Sequence, residues 1–345
     1  MKHRESRLPG HPETGDRPTL KTVAEITGLA VTTVSRALAN DPKIADATRK
    51  RVNEAAKVVG YEPNRAARRL RTGKTMVINL LLDPHFEVLG FGNALLVGAT
   101  KALEGSGYNL VVTPHFNDVD PLVPIQNIVT NRLADGVLFS RTSPFDERVR
   151  FLSEQKFPFV SHGRTEFTEP HSWVDYDNED FAYRAAIRLA EKGNHNICVI
   201  LPPDTQTFRQ HLRYGVMRAV RETGIDHHIP TSVTLDSSMD EINDWARNLA
   251  TSARRPDGFI CPGEASYLAI RNAFRSHGLQ VGRDYDAVVK SISGILSQID
   301  PDTDTIHEGV EEAGRRMASQ LVAILSDGLS SPPQHLQKPR TNFRD

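Results

Sequence analysis

The sequence has few cysteines and no long apolar run. Its two cysteines in 345 residues, Cys198 and Cys261, are too few for a disulfide framework and indicate a reducing compartment. The longest largely apolar segment, Met76–Leu82, has the length of a strand and falls short of the roughly 18–20 residues of a membrane span. The first residues lead into no apolar stretch, so we expect no signal peptide. These absences favour a globular protein of the cytoplasm, without a membrane partner.

Motifs of the common enzyme classes are also missing. Gly73-Lys74-Thr75 resembles the end of a phosphate loop, but the upstream glycine position holds Arg68. Gly90-Phe91-Gly92 lacks the third glycine of a dinucleotide loop, and no G-x-S-x-G nucleophile elbow occurs. The histidines show no zinc-like spacing. We therefore expect no enzymatic activity, no cofactor and no metal.

The net charge of −1 conceals a division of charge along the chain. Residues 1–74 hold 16 lysines and arginines against 8 aspartates and glutamates, whereas the remainder holds 26 against 35. A short basic head on a long acidic body is expected when only the head binds a polyanion. Chance clustering of surface charge is the alternative that composition leaves open.

The basic head has the pattern of short helices. Thr19 is a plausible N-cap for a helix that ends at Gly28, and Val31–Leu38 and Asp46–Val59 follow with helical spacing. Gly28 permits the left-handed backbone of a tight turn between the first two helices. Pro63 stops the third helix, and Asn64–Arg71 is predicted as a fourth. A helix, a glycine turn and a helix in a basic terminal segment indicate a helix-turn-helix DNA-binding head.

Beyond Met76 the pattern changes to alternating strands and amphipathic helices. Such alternation predicts parallel sheets, and some nine units favour two α/β lobes over one sheet. Ligands of such sheets bind beyond the carboxyl ends of the strands. The predicted strands are Met76–Leu82, Asn109–Pro114, Gly136–Ser140, Pro158–Ser161, Asn196–Leu201, Thr231–Leu235, Gly258–Cys261 and Ala287–Ser291.

Two stretches carry a resemblance to a known family. V-A-E-x-x-G-x-x-x-x-T-V-S-R-A-L stands at Val23–Leu38, and T-R-x-R-V-x-x-A-A-x-x-x-G-Y-x-P-N-x-x-A-R-x-L at Thr48–Leu70. With the order and length of the α/β body, the chain resembles the lac repressor/galactose repressor (LacI/GalR) family over about residues 19–328. The resemblance implies an all-α helix-turn-helix head with a hinge helix, joined to a two-lobed α/β periplasmic-binding-protein-like (type I) core with parallel sheets.

The resemblance divides the chain into five segments. Residues 1–18 are expected to be a disordered arm, 19–63 the DNA-binding head, and 64–74 the hinge helix and linker. Residues 75–328 are expected to form the two-lobed core for effector binding and dimerisation, and 329–345 a flexible tail.

The resemblance also implies how the head binds double-stranded operator DNA. Val31, Thr32 and Arg36 would read base edges in the major groove. Leu70 would wedge into the minor groove and kink the duplex. Phosphate contacts, which position the head without specifying sequence, would come from Thr19, Thr33, Ser35, Lys43, Asn64 and Arg68.

The core is expected to clamp a small sugar-like effector between its lobes. Arg164 matches the Gly-Arg that follows the fourth strand in the family, and Asp177 the Asp-Asn that opens the second lobe. The further candidates follow strands or lie near positions where the family often has contacts; they are Asp83, His85, Phe86, Arg141, Arg209, Arg213 and Glu264. Any of these residues could instead cap a helix or line the cleft without binding.

The second lobe departs from the family pattern at three places. Leu212 stands where an arginine is common, Gly263-Glu264 replaces Asn-Asp, and Val289-Lys290-Ser291 replaces Phe-Asp-Asp. The resemblance therefore supports an effector of sugar type without naming it.

The hypothesis is a ligand-responsive repressor of carbohydrate uptake or catabolism genes that binds a pseudo-palindromic operator as a homodimer. It would be associated with the nucleoid when bound to its operator. A corepressor-type or purine-responsive regulator of the same family is one alternative. A sugar-binding transport component and an enzyme with a DNA-binding appendage are the others.

Overall fold

The computed structural model describes residues 18–61, 69, 73–83, 90–115, 120–328 and 331–344. The chain divides into two compact units, residues 1–75 and 76–345. The expected hinge helix at Asn64–Arg71 lies outside the described residues, apart from Arg69, and so do residues 1–17 of the expected arm at residues 1–18.

The described residues of the first unit include three helices, α1 (Leu20–Thr27), α2 (Val31–Leu38) and α3 (Asp46–Val58). The Thr19 side chain accepts from the backbone N–H of Thr22 and caps α1, and Gly28 ends α1 in the left-handed conformation at φ 64°. The interior residues of the three helices form one small core of Val23, Ala24, Val34, Ala37, Val52 and Ala56. The sequence pattern predicted these three helices to within one residue at each end.

The second unit contains two six-stranded sheets, each in its own lobe. The strands of the first sheet are β1 (Val77–Leu82), β2 (Asn109–Pro114), β3 (Gly136–Ser140), β4 (Phe159–His162), β5 (Trp173–Tyr176) and β11 (Gln334–Gln337). They lie in the order β11-β5-β4-β3-β1-β2, and all neighbouring pairs are parallel. Its helices are α4 (Phe91–Leu103), α5 (Leu122–Thr130), α6 (Glu147–Glu154) and α12 (Val310–Asp327).

The second sheet has the order β12-β10-β9-β8-β6-β7, and only the pair of β12 with β10 is antiparallel. Its strands are β6 (Asn196–Val199), β7 (Asp226–His228), β8 (Gly258–Cys261), β9 (Asp286–Ser291), β10 (Asp304–His307) and β12 (Arg340–Asn342). Its helices are α7 (Asn178–Glu191), α8 (Thr207–Thr223), α9 (Met239–Ala250), α10 (Glu264–Ser276) and the short α11 (Leu296–Ile299).

Two pairs of helices, α4 with α12 and α7 with α8, pack closely because a glycine lies at each contact. A Cβ on Gly98 of α4 would lie 1.8 Å from the Glu311 carbonyl oxygen of α12. A Cβ on Gly215 of α8 would lie 2.1 Å from the Glu179 carbonyl oxygen of α7. Only a residue without a side chain fits at either contact.

Two sequence predictions are wrong. The end of the chain is no flexible tail, because β11 extends the first sheet beside β5 and β12 extends the second beside β10. The core therefore runs past Gly328 to Arg344. The predicted strand Thr231–Leu235 is not one, since the edge position beside β6 is taken by β7. Val233 and Leu235 are nevertheless buried in the second lobe.

Candidate functional site

A cleft of about 680 Å³, part of it open to solvent, lies within the second unit. Most of its lining residues lie at or just after the carboxyl ends of strands of both sheets, where parallel α/β sheets bind ligands, and helices α4 and α8 supply others. The lining residues are Phe91, Arg141, Thr142, His162, Gly163, Arg164, Asp175, Asn178, Thr207, Phe208, His211, Leu235, Pro262, Lys290 and Glu308.

Lys290, at the end of β9, is the buried cation of this cleft. Its Nζ donates to Asn178 Oδ1 at 2.6 Å and pairs with Glu308 Oε2 at 3.0 Å. The same Nζ lies 4.7 Å from the Tyr176 ring centroid and 5.9 Å from that of Phe208. A lysine ammonium is tolerated at 4% exposure because a carboxylate, an amide oxygen and aromatic faces surround it.

Arg164 and Asp175 form a second ion pair in the wall, with Nε to Oδ2 at 3.0 Å. Burial raises the pKa of Asp175 to about 7, although the Arg164 guanidinium opposes the rise. Near neutral pH this carboxyl group therefore either accepts or donates a hydrogen bond.

Two histidines of the cleft are held neutral. Burial lowers the pKa of His162, against the attraction of Glu308 3.9 Å away. Burial also lowers the pKa of His211 to about 4. The His162 ring meets Phe91 edge to face at 5.4 Å between centroids. Neutral imidazoles and aromatic rings complete a lining that suits hydroxyl groups and apolar ring faces.

Of the predicted effector contacts, Arg141 and Arg164 line the cleft. His85 and Phe86 lie outside the described residues. Asp83 contacts Nδ1 of the buried His115 at 2.5 Å and is not among the lining residues. Asp177 caps α7 by accepting from the Asp180 N–H, and it pairs with Lys338 at 2.7 Å. The adjacent residue, Asn178, is the one that faces the cleft.

Three further predicted effector contacts, Arg209, Arg213 and Glu264, lie outside the cleft lining. Arg209 donates to the Pro202 carbonyl, and Arg213 is exposed on α8. Glu264 is buried at the start of α10, where its Oε1 accepts from the Ile292 N–H at 3.0 Å. None of the three lines the cleft in the part of the chain that the structure describes.

Sequence reasoning missed three residues of the cleft lining, namely Lys290, Glu308 and Asp175. In the sequence Lys290 stands out only as a departure from the family pattern, and no pattern marks Glu308 as a site residue. Asp175 lies in a four-residue strand that no pattern predicted. Polar residues inside apolar strands were the available signal, because a buried charge needs a partner and so indicates a site.

The head places the predicted base-reading residues on one face of α2. Val31 is 44% exposed, Thr32 is exposed, and so is Arg36, while Val34 and Ala37 face the core. Thr33 and Ser35 are half-buried, and Thr19 and Lys43 are exposed. Asn64, Arg68 and Leu70 lie outside the described residues.

Arg36 has a fixed partner within the head. Its Nε donates to Asp41 Oδ2 at 2.8 Å, and this hydrogen bond holds the pKa of Asp41 below its usual value. Asp41 also accepts from the Lys43 N–H at 2.9 Å through Oδ1. The aspartate thus orients the guanidinium through Nε, and its hydrogen bond leaves the two terminal nitrogens pointing away from the shared Nε.

The cysteines offer no reactive thiol, since both are buried and burial raises the pKa of Cys198. Among the described residues, no group of three or more His, Cys, Asp or Glu side chains could hold a metal ion. No helix in the described part of the chain is both long enough and apolar enough to cross a membrane.

Two family models match the chain. The model of the bacterial regulatory proteins of the lacI family matches residues 19–64, and a periplasmic binding protein-like domain matches residues 186–345. The transcriptional regulator AglR of Rhizobium meliloti (strain 1021) is 30% identical over 330 residues, which cover 92% of this chain and 90% of the relative. The chain belongs to the lacI family of bacterial regulatory proteins. This LacI-family protein is thus a DNA-binding transcriptional regulator.

Other relatives are similar to this LacI-family regulator over more than nine tenths of its length. CelR of Thermobifida fusca is 27% identical over 92% of this chain and 94% of its own. A solved complex of CelR with cellobiose matches with a TM-score of 0.69 at 24% identity, covering 95% of this chain and 99% of that one. The lac repressor dimer bound to operator and the anti-inducer ONPF matches at 0.79 and 18% identity, with coverages of 95% and 98%. These structures share its fold.

Proposed function

We propose that this LacI-family regulator is a repressor of carbohydrate uptake or catabolism genes. It binds a pseudo-palindromic operator as a homodimer in the cytoplasm, and a sugar in the cleft of the core releases it. It performs no catalysis. The chemistry of the cleft is the observation that carries the sugar assignment.

Each cation of the cleft already has a carboxylate partner. Lys290 pairs with Glu308, Arg164 with Asp175, and Arg141 with Asp236. Paired charges offer little net attraction to a phosphate or a carboxylate, but they remain hydrogen-bond donors and acceptors at fixed positions. A sugar hydroxyl both donates and accepts, and Phe91 and Phe208 offer apolar surface to the ring. An uncharged sugar fits this set of groups.

The relatives support the same assignment. CelR, which matches this chain over nearly its full length, has been solved as a complex with cellobiose. Two of the departures from the family pattern, at Leu212 and Glu264, lie outside the cleft lining. The third departure, Val289-Lys290-Ser291, places Lys290 in the lining as a hydrogen-bond donor. The effector of this chain is therefore a sugar, and Lys290 and the residues around it decide which sugar binds.

A thermal-shift screen of the full chain against mono- and disaccharides, sugar phosphates and purines tests the effector. A ligand at 100 times its dissociation constant stabilises the folded form by about 2.7 kcal/mol, which is a readily measured shift of the midpoint. We expect shifts with uncharged sugars. A response to sugar phosphates or purines alone would contradict the proposal while leaving the DNA-binding assignment intact.

Operator recognition falls to the exposed face of α2. Val31 and Thr32 present methyl groups suited to the thymine methyl, and the Arg36 guanidinium suits O6 and N7 of guanine. One α2 helix reads a half-site only, so two-fold symmetric DNA requires a two-fold symmetric dimer. The edge strand β2 leaves Val111 and Val112 exposed, at 45% and 40%, which favours a covered surface in the dimer.

Arg36→Ala tests the readout. Selection of binding sites from random duplexes should show preference lost at one base pair in each half-site, by about 1–3 kcal/mol. Lys43→Ala is the matched control, because loss of a phosphate contact weakens all sequences alike and lowers the salt dependence by about one unit of slope. If Arg36→Ala behaved like Lys43→Ala, Arg36 would be a phosphate contact.

A further inference from the structure

One short segment of the first lobe contacts the second lobe directly at the cleft. Arg141, just after β3, pairs through Nη2 with the Asp236 carboxylate of the second lobe at 2.5 Å. The Thr142 carbonyl accepts from both the backbone N–H and the hydroxyl of Thr207, each at 2.9 Å. The ion pair is shielded, with 13% of the Arg141 side chain and 25% of the Asp236 side chain exposed.

The segment is held rigidly in this position. Arg141 has a φ of 58°, a left-handed conformation that a residue with a side chain keeps only where its surroundings enforce it. The buried Arg148 supplies that constraint, because its Nη2 donates to the carbonyls of Ser140 at 3.2 Å and of Arg141 at 3.0 Å. Asp146 in turn holds Arg148 through two hydrogen bonds to its side chain. The turn that presents Arg141 to the other lobe is therefore preformed.

These contacts lie along the cleft itself, since Arg141, Thr142 and Thr207 are among its lining residues. We propose that Arg141 and Asp236 form a latch between the lobes, and that a bound sugar leaves only when the latch opens. Asp236 is then a positioning residue that controls how long the effector stays. The inference rests on the proposed function of the cleft, but the latch has a readout that needs no ligand.

The readout is hydrogen exchange at the Thr207 amide. Thr207 is the first residue of α8, so its N–H has no acceptor within the helix and bonds across the cleft to Thr142. Its exchange therefore reports separation of the lobes at this point. In Asp236→Asn we expect the Thr207 amide to exchange about tenfold faster, as for the loss of one charge-assisted hydrogen bond. Amides in the middle of α8 should not change.

Glu147→Gln is the matched control. It removes one carboxylate from an exposed ion pair with Arg150 inside α6, does not line the cleft, and should leave Thr207 exchange as in the wild type. Arg141→Asn provides the second test, because asparagine tolerates the left-handed conformation. Once Arg141 is gone, adding Asp236→Asn should have no further effect. Equal exchange at Thr207 in Asp236→Asn and Glu147→Gln would overturn the latch.

The consequence for the effector is measured with cellobiose as the probe, by stopped-flow release from the full chain. We expect release about tenfold faster from Asp236→Asn than from the wild type or Glu147→Gln. Faster exchange at Thr207 with unchanged release would overturn the claim that the latch controls the effector. If the wild type bound no sugar of the screened panel, the proposed function would fail, whereas the exchange experiment would still decide whether the latch exists.

Discussion

Asp175 shows how one residue of the cleft links its chemistry to stability. Only 3% of this residue is exposed, and burial raises the pKa of its carboxyl group to about 7 even beside Arg164. In the unfolded chain the same group has a pKa of about 3.8. Protonated Asp175 therefore stabilises the folded form at low pH, and this contribution is lost as the pH rises towards 7.

Asp175→Asn should remove that pH dependence. Relative to the wild type, the free energy of unfolding of the variant should improve with rising pH, by about 1.4 kcal/mol per pH unit between about pH 5 and pH 7. Urea unfolding of both proteins across this range measures the difference. Asp177→Asn is a useful comparison, because Asp177 is a helix cap paired with Lys338 whose pKa is lowered, so it is ionised in both states and its variant should show no such trend between pH 5 and pH 7. A constant difference between Asp175→Asn and the wild type would contradict the assignment.

The site residues also show which parts of the cleft can be predicted from the sequence. Arg164 could be placed in the cleft because the family resemblance implies an arginine after the fourth strand, and it does line the cleft. Asp177 and Asn178 are adjacent, and the choice between them depends on geometry that the sequence does not carry. Asp177 turns back to cap α7, which leaves Asn178 facing Lys290. Glu308 and Lys290 meet only because two separate strands end side by side.

At the scale of helices and strands, local signals decided what could be predicted. The predicted bounds of amphipathic helices and of buried apolar strands agree with the structure to within a few residues. The missed strands are short and rich in polar residues, and those at the sheet edges, such as Gln334–Gln337, exist because a neighbouring strand accepts their backbone. Pairing partners far along the chain, rather than the residues themselves, make these segments strands.

The third helix of the head has an incomplete beginning. Ala45 occupies the N-cap of α3 with an extended backbone, and no side chain caps the helix there. Ala45→Ser should supply the missing acceptor and stabilise the head by about 1 kcal/mol. Thermal unfolding of the full chain, followed by circular dichroism at the transition of the head, measures the gain. Ala47→Ser, inside the first turn of α3, should give no such gain, and equal effects would contradict the cap assignment.

On the scale of the whole molecule, the head and the core are separate compact units with separate hydrophobic cores. A unit of this small size is marginally stable, because it buries a small share of its surface. Each unit should therefore unfold in its own transition, with the head at the lower temperature.

Val52→Ala tests that independence. Val52 is fully buried in the core of the head, and losing two methyl groups there should cost roughly 2 kcal/mol. Calorimetry should show the lower transition moved down and the upper one unchanged. Val216→Ala, an equally buried valine of the second lobe, should move only the upper transition. A single transition that shifts in both variants would show that the units unfold together.

The two last strands have a consequence for how the protein is made. The first lobe takes its helix α12 and its edge strand β11 from the end of the chain, and the second lobe takes β12 from the residues that follow. Neither lobe is a continuous stretch of sequence. During synthesis the first sheet lacks β11 until Gln337 has been added, and the second lacks β12 until Asn342 has been added. A chain that stopped before Arg340 would leave β10 as an open edge, and one that stopped before Gln334 would leave β5 open as well.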